Sequence, residues 1–478
     1  MTSIDTVGSV LIEVKKDDRF RRAAEAFFAP TPSRPDIIEA MKDYHPFDPD
    51  IEIDLNFGAL PVGPGSSWLD TPATLEAPHI PLPMESFRPA NSEKFVIRGF
   101  IKRPGALERL ADKTDAAVIF HSDPPIFGLL EMPGPTCGTS PYVGDTGAVR
   151  EKLDTVTLAR LGLDGKGVAL AIVDSGIFLP RITQLLGDIK PSGFVPNVDR
   201  ANSWTEDVVT EPFGHRVGHG TMCAYDALIA APEATLLDYS ILLGRRLSYE
   251  RLRGTIAAAM RAYAQLINFW LFKPRSHPYP RALVVGNSWG TFHPSEDAYV
   301  APGKHWYIDN PKHPFRLFVR LLAENGADII FSGNNCGCCC PSATCLSQTS
   351  SMIMGANSYP EVLTIGGCDI YDKLVGYSSR GPSITGMYPE KPDLVAYTHF
   401  LGSKTRRIYV PDTGVSAACA VAAGCVAALR TRVPPETTSP AALFQTLRST
   451  ARNAPGPGWH PGYGYGIIDP VAAAAQLL

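Results

Sequence analysis

Residues 168–176 read Val168-Ala169-Leu170-Ala171-Ile172-Val173-Asp174-Ser175-Gly176: an unbroken apolar run, then a carboxylate, a hydroxyl and a turn. A run that is apolar on both faces suits a parallel strand covered by helices on each side. Open α/β sheets gather their ligands at the carboxyl ends of strands, so an aspartate ending such a run stands where a site would be built. The runs Ala282–Gly286 and Asp328–Phe331 follow as further strand-like stretches, and the stretch from Glu250 to Ile267, ahead of both, has apolar positions at helical spacing. The alternation predicts an α/β fold, a three-layer sandwich with a mostly parallel central sheet.

Two further motifs suit nucleophilic chemistry. His219 lies in Gly218-His219-Gly220-Thr221, where flanking glycines permit close backbone approach to the imidazole before an apolar helical stretch begins. Ser416 lies in Gly414-Val415-Ser416-Ala417-Ala418 and opens a small-residue helix running to about Leu429. A serine hydroxyl is a poor nucleophile until a histidine takes its proton, and a carboxylate must hold that histidine in the right tautomer. Singly, each motif also suits a plainer role: a capping aspartate, a turn histidine, a closely packed helix. The ordered set Asp174, His219, Ser416 carries the argument.

These three motifs resemble the signatures of subtilisin-like serine peptidases, and the intervening text follows the same order. Ser288-Trp289-Gly290 resembles the family's substrate-lining strand, and Ser332-Gly333-Asn334 the turn bearing its oxyanion-hole asparagine. Asn335 is the neighbouring alternative for that donor, and Asn287 a weaker one that better suits support of the substrate-lining strand. Tyr377–Pro382, Lys391–Ala396 and Gly462–Gly466 complete a resemblance covering roughly residues 155–478. Val415, Ala417 and Ala420 replace the usual threonine, methionine and proline, which bears on rate and substrate fit and leaves the reacting groups in place. The resemblance implies a serine endopeptidase that forms an acyl-enzyme on Ser416. Its alternatives are a precursor-processing peptidase or peptide cyclase or ligase using the same residues, and a non-catalytic peptide-binding relative.

Composition narrows the partners. The net charge of −4 gives no electrostatic case for nucleic acid or an anionic membrane and does not bear on the substrate; the resemblance implies a protein or peptide. Oligomeric state is not legible. Met1–Phe28 lacks a signal-like apolar core, and nowhere does an apolar run reach membrane-spanning length, so a cytoplasmic location is the expectation. The chemistry requires no organic cofactor; subtilases often bind calcium for stability, yet no metal-ligand cluster is legible. Five of ten cysteines crowd into 336–345, whose spacing suits a structural thiol loop or a local disulfide better than a tetrahedral metal site. Cys223 is expected to be a packed thiol.

Prolines recur from Pro30 to Pro89, which argues for an extended or irregular N-terminal region, residues 1–93. Residues 94–125 then alternate like strand (Phe95–Ile101), short helix (Gly105–Asp112) and strand (Ala116–Phe120), matching either a subtilase propeptide or a permanent accessory subdomain. Residues 126–154 read as a linker, and 155–478 as the catalytic domain. The surface stretches Pro274–Pro280 and Thr291–His313 flank Ser288–Gly290 and are expected to narrow substrate choice.

Overall fold

The computed structural model describes the chain apart from residues 1–7, 31, 45–48, 70–80, 104, 107–117, 130–141, 190–194, 207–209, 217, 246–250, 275–279, 298–305 and 404–409. Two compact units emerge. One gathers residues 1–125, 255–272 and 294–321; the other gathers 126–254, 273–293 and 322–478.

The second unit holds a seven-stranded sheet in the order Leu394–Tyr397, Leu363–Cys368, Ala327–Ser332, Ala282–Asn287, Val168–Asp174, Thr235–Ser240, Trp204–Thr205. Every neighbouring pair is parallel, and helices cover both sides. All seven residues of Val168–Asp174 are buried, as the uninterrupted apolar run requires. The strands that follow Val168–Asp174 up to Thr235–Ser240 lie on its one side and those that follow Ala282–Asn287 lie beyond the other, so the crevice between those two strands is the topological switch point.

The helix Gly414–Arg430 is buried along its whole length. It packs against five strands of the sheet and against the helix Gly218–Leu228. Alanine, glycine and cysteine make this possible: alanine has the best helix propensity, and small side chains let backbones approach. A Cβ on Gly424 would strike the backbone of Ala227, so glycine alone permits this crossing of the two helices. That crossing fixes the helix carrying His219 against the helix carrying Ser416.

The amino edge of the sheet is pinned by buried ion pairs. Arg430 Nε and Nη2 donate to the two oxygens of Asp328 at 2.6 and 2.7 Å, and Nη1 donates to the carbonyls of Val433 and Thr438. Asp393 accepts from Lys391 Nζ at 2.7 Å and from Arg448 Nε and Nη2 at 3.0 and 2.8 Å, and takes the Thr364 N–H as well. Buried charges persist only when paired and hydrogen-bonded in this way.

The first unit is built on an antiparallel sheet in the order Ile51–Ile53, Lys94–Ile101, Gly8–Lys15, Ile119–Ser122, with Leu60–Pro61 also paired to Lys94–Ile101. The strand expected at Phe95–Ile101 is present. Most of the expected helix Gly105–Asp112 and the start of the expected strand Ala116–Phe120 lie outside the described residues. Gly8–Lys15, in the region read as an irregular extension, instead pairs over its full length with Lys94–Ile101. Its strand character is masked in sequence by Glu13, which is completely buried and paired with Lys94 at 2.7 Å. Burial alone would raise the Glu13 carboxyl, but His121, Lys94 and Ser66 together hold it down at about 2.

Candidate active site

Asp174 ends its strand at the carboxyl edge, where its carbonyl accepts the N–H groups of Ile241 and Leu242 at 2.7 and 3.0 Å. Its Oδ1 accepts the Ser175 N–H at 2.6 Å and meets His219 Nδ1 at 2.7 Å. Both side chains of the Asp174–His219 pair are 1% exposed. The carboxylate therefore fixes the imidazole with the proton on Nδ1, which leaves Nε2 as the basic nitrogen. Nε2 is buried and has no hydrogen-bond partner among the described residues. Behind the pair, Ser175 Oγ accepts the Gly220 N–H at 2.9 Å, tying the turn after Asp174 to the helix bearing His219.

Ser416 lies in the first turn of the Gly414–Arg430 helix, which opens after Thr413. Its Oγ donates to the carbonyl of Ser288 at 3.3 Å, and the Ser288 hydroxyl donates back to the Ser416 carbonyl at 3.1 Å. The nucleophile candidate is thus stitched to the strand extension Ser288–Trp289–Gly290 rather than hydrogen-bonded to His219. Trp289 is 1% exposed, its ring set edge-on to Phe331 with centroids 5.0 Å apart, so it contributes backbone, not an indole face, to the cleft. Asn357 holds this strand in place: its Nδ2 donates to the carbonyls of Trp289 and Ser332 at 2.9 and 2.7 Å. Nothing in the sequence singled out Asn357, because a buried amide bridging two strands leaves no local pattern.

The two asparagines of the following turn have different partners. Asn334 adopts φ +67°, a left-handed conformation that asparagine tolerates. Its Nδ2 donates to the carbonyls of Thr291 and Met352 at 3.0 and 2.8 Å. Both amide hydrogens are spent, so Asn334, expected to face the oxyanion, has none left for it. Asn335 accepts the Val415 N–H on its Oδ1 at 2.7 Å, beside Ser416, and its Nδ2 has no partner among the described residues. The Asn335 carbonyl in turn takes the Ser342 N–H at 2.9 Å. Cys336 and Cys345 form a disulfide that closes the intervening loop, while Cys338 and Cys339 remain exposed thiols with sulfurs 3.5 Å apart. The local disulfide was one of the two plain readings of the cysteine cluster.

Cys223, one helical turn after His219, points its thiol at Asp174 Oδ2 at 3.8 Å. Burial and then the Asp174 charge push this thiol well above its usual range, so it stays protonated and packs beneath the pair. Asp174, His219 and Cys223 form the one cluster of three metal-ligating side chains among the described residues. His219 Nδ1 is already committed to Asp174 and the thiol is held neutral, so the set suits a hydrogen-bonded base better than an ion. A second carboxyl on the same helix, Asp226, is fully buried. Burial and then the facing Asp412 hold it well above its ordinary 3.8. Asp412, four residues before Ser416, is raised to about 6 by burial even though the Ser403 hydroxyl and N–H both donate to it.

A parallel sheet with an oriented Asp–His pair and a serine beside its switch point defines the class of α/β serine peptidases. The chain belongs to the subtilase family, whose model matches residues 165–466. Among solved structures, similarity extends to MycP1 with its N-terminal propeptide removed, at 18% identity over 68% of this chain and 96% of that one, TM-score 0.46. It extends also to a lanthipeptide protease, at 19% identity over 73% of this chain and 100% of that one, TM-score 0.45. No curated protein sequence matches. Among the described residues, no helix is long and apolar enough to cross a membrane.

Proposed function

We propose that this subtilase is an endopeptidase that cleaves peptide bonds through Asp174, His219 and Ser416, with Asn335 as the side-chain donor to the oxyanion. The observation that carries the reading is the buried Asp174–His219 bond of 2.7 Å facing an uncommitted Nε2. His219 Nε2 takes the Ser416 proton as the hydroxyl attacks the peptide carbonyl. Asn335 Nδ2, held by its Oδ1 on Val415, and the Ser416 N–H receive the oxyanion. His219 then returns the proton to the leaving amine, and water, deprotonated by the same nitrogen, releases the acyl group. The Ser416 hydrogen bond to the Ser288 carbonyl in the resting enzyme does not oppose this, because catalytic contacts often tighten only when substrate arrives. The chemistry draws on no metal or organic cofactor.

Paired variants test the donor assignment. Asn335→Ala should lower kcat by about 10²–10³, the handicap measured for such a donor in subtilisin itself. Asn334→Ala leaves the Thr291 and Met352 carbonyls unpaired and should appear first as a lower Tm. If Asn334→Ala costs the larger share of kcat at unchanged Tm, the assignment is reversed. Mass spectrometry of digested peptide libraries reads the reaction type, since hydrolysis adds one water to each product pair and transfer to an amine does not.

A further inference from the structure

A short strand, Pro125–Leu129, crosses the site. Phe127 exchanges both backbone hydrogen bonds with Gly290: its N–H donates to the Gly290 carbonyl at 2.9 Å, and the Gly290 N–H donates back at 3.2 Å. The pairing is antiparallel. On its other edge the strand joins Arg251–Thr255 in a three-stranded sheet. Residues 126–129 therefore lie as an extended peptide between the strand Arg251–Thr255 and the segment Ser288–Gly290, which continues the strand Ala282–Asn287.

The register can be counted. With Phe127 opposite Gly290, antiparallel pairing sets residue 129 opposite Ser288. The Ser288 carbonyl is the atom that accepts the Ser416 hydroxyl at 3.3 Å, so the Leu129 backbone is the one aligned with the nucleophile. Gly128, one residue earlier, faces the imidazole. A Cβ there would lie 3.1 and 3.2 Å from His219 Cε1 and Nδ1, and 2.9 Å from Leu242 Cδ1. His219 cannot give way without straining its bond to Asp174, and Leu242 is itself completely buried with its N–H bonded to the Asp174 carbonyl. Ile126, on the same face of the strand as Gly128, is completely buried.

We infer that Ile126–Leu129 occupies the peptide cleft as a substrate would, and that His219 and Leu242 make this cleft select glycine at the residue preceding the one whose carbonyl is attacked, with an aliphatic side chain two residues before that glycine. The inference rests on the peptidase reading and names its substrate class. Leu242 is the specificity-determining residue: it closes the space over His219 that an alanine or larger side chain would need. The segment read in sequence as the start of a linker is then a sequence of the class the enzyme accepts, and it competes with peptides added from outside.

Two measurements on the full chain test this. Fluorophosphonate labelling of Ser416 should be at least about tenfold faster in Gly128→Val and in Ile126→Asp than in the unaltered chain, because neither segment can seat. Labelling that is unchanged or slower in both variants overturns the occupancy. Peptides ending Ile-Phe-Gly-Leu and Ile-Phe-Ala-Leu before the cut bond should differ by about tenfold or more in kcat/KM, and Leu242→Ala should bring them to within about threefold of each other. Equal cleavage of both peptides by the unaltered Leu242 overturns the glycine selection. Absence of labelling in every variant is the separate outcome that overturns the peptidase reading.

Discussion

Asp174 and Asp328 are both completely buried, both belong to the same run of parallel strands, and both are paired with one basic side chain. They sit at opposite edges of the sheet. Asp328, near the amino end of its strand, meets Arg430, whose other donors go to the Val433 and Thr438 carbonyls; that charge cluster is closed. Asp174, at the carboxyl end, meets a histidine with one nitrogen held back. A buried pair whose every nitrogen is hydrogen-bonded is structure, and a buried pair that leaves one nitrogen uncommitted is poised for chemistry. The glycines and alanines around Ser416 serve both ends, since the helix that begins beside the nucleophile ends in Arg430.

Breaking each pair should therefore produce different losses. Asp174→Asn keeps the shape of the side chain but favours the wrong imidazole tautomer, and kcat should fall by about 10⁴ with Tm nearly unchanged. Comparable activity in this variant would remove Asp174 from the site. Arg430→Ala strands the Asp328 carboxylate in the core and should cost about 3–5 kcal/mol of stability in denaturant unfolding. If kcat fell in folded Arg430→Ala as steeply as in Asp174→Asn, the separation of the two edges would fail.

The smallest effect concerns the third carboxyl pair. Asp226 and Asp412 have raised values in the folded chain, so the native state keeps protons that the unfolded chain releases. Stability then falls as pH rises above the ordinary carboxylate value of 3.8, and for Asp412 the loss is complete above about 6. Asp226→Asn supplies an N–H where the protonated oxygen stood and removes one titrating group. Its Tm should fall less steeply between pH 4 and 8 than that of the unaltered chain, with a net gain at neutral pH. An identical slope in both proteins would show that Asp226 is not charged at a cost.

The parallel sheet was legible because Val168–Val173, Ala282–Gly286 and Ile329–Phe331 are apolar on both faces, a pattern that surface strands do not share. The pairing of Asp174 with His219 was legible through short motifs, and a third motif singled out Ser416. The choice between Asn334 and Asn335 was not legible, because they are identical in type and adjacent; what differs between them is the left-handed backbone at Asn334 and the Val415 N–H on Asn335. Gly8–Lys15 was hidden by a buried Glu13 whose partners, Lys94 and His121, lie far along the chain. Ile126–Leu129 was too short to register as a strand alone, and its meaning comes from the residues it lies against.

Covalent labelling of the serine tests the central claim most directly. After treatment with a fluorophosphonate and proteolytic mapping by mass spectrometry, the account predicts a single adduct, on Ser416, that disappears in His219→Ala. An adduct at another residue, or none on Ser416 in both the unaltered chain and Gly128→Val, would contradict it.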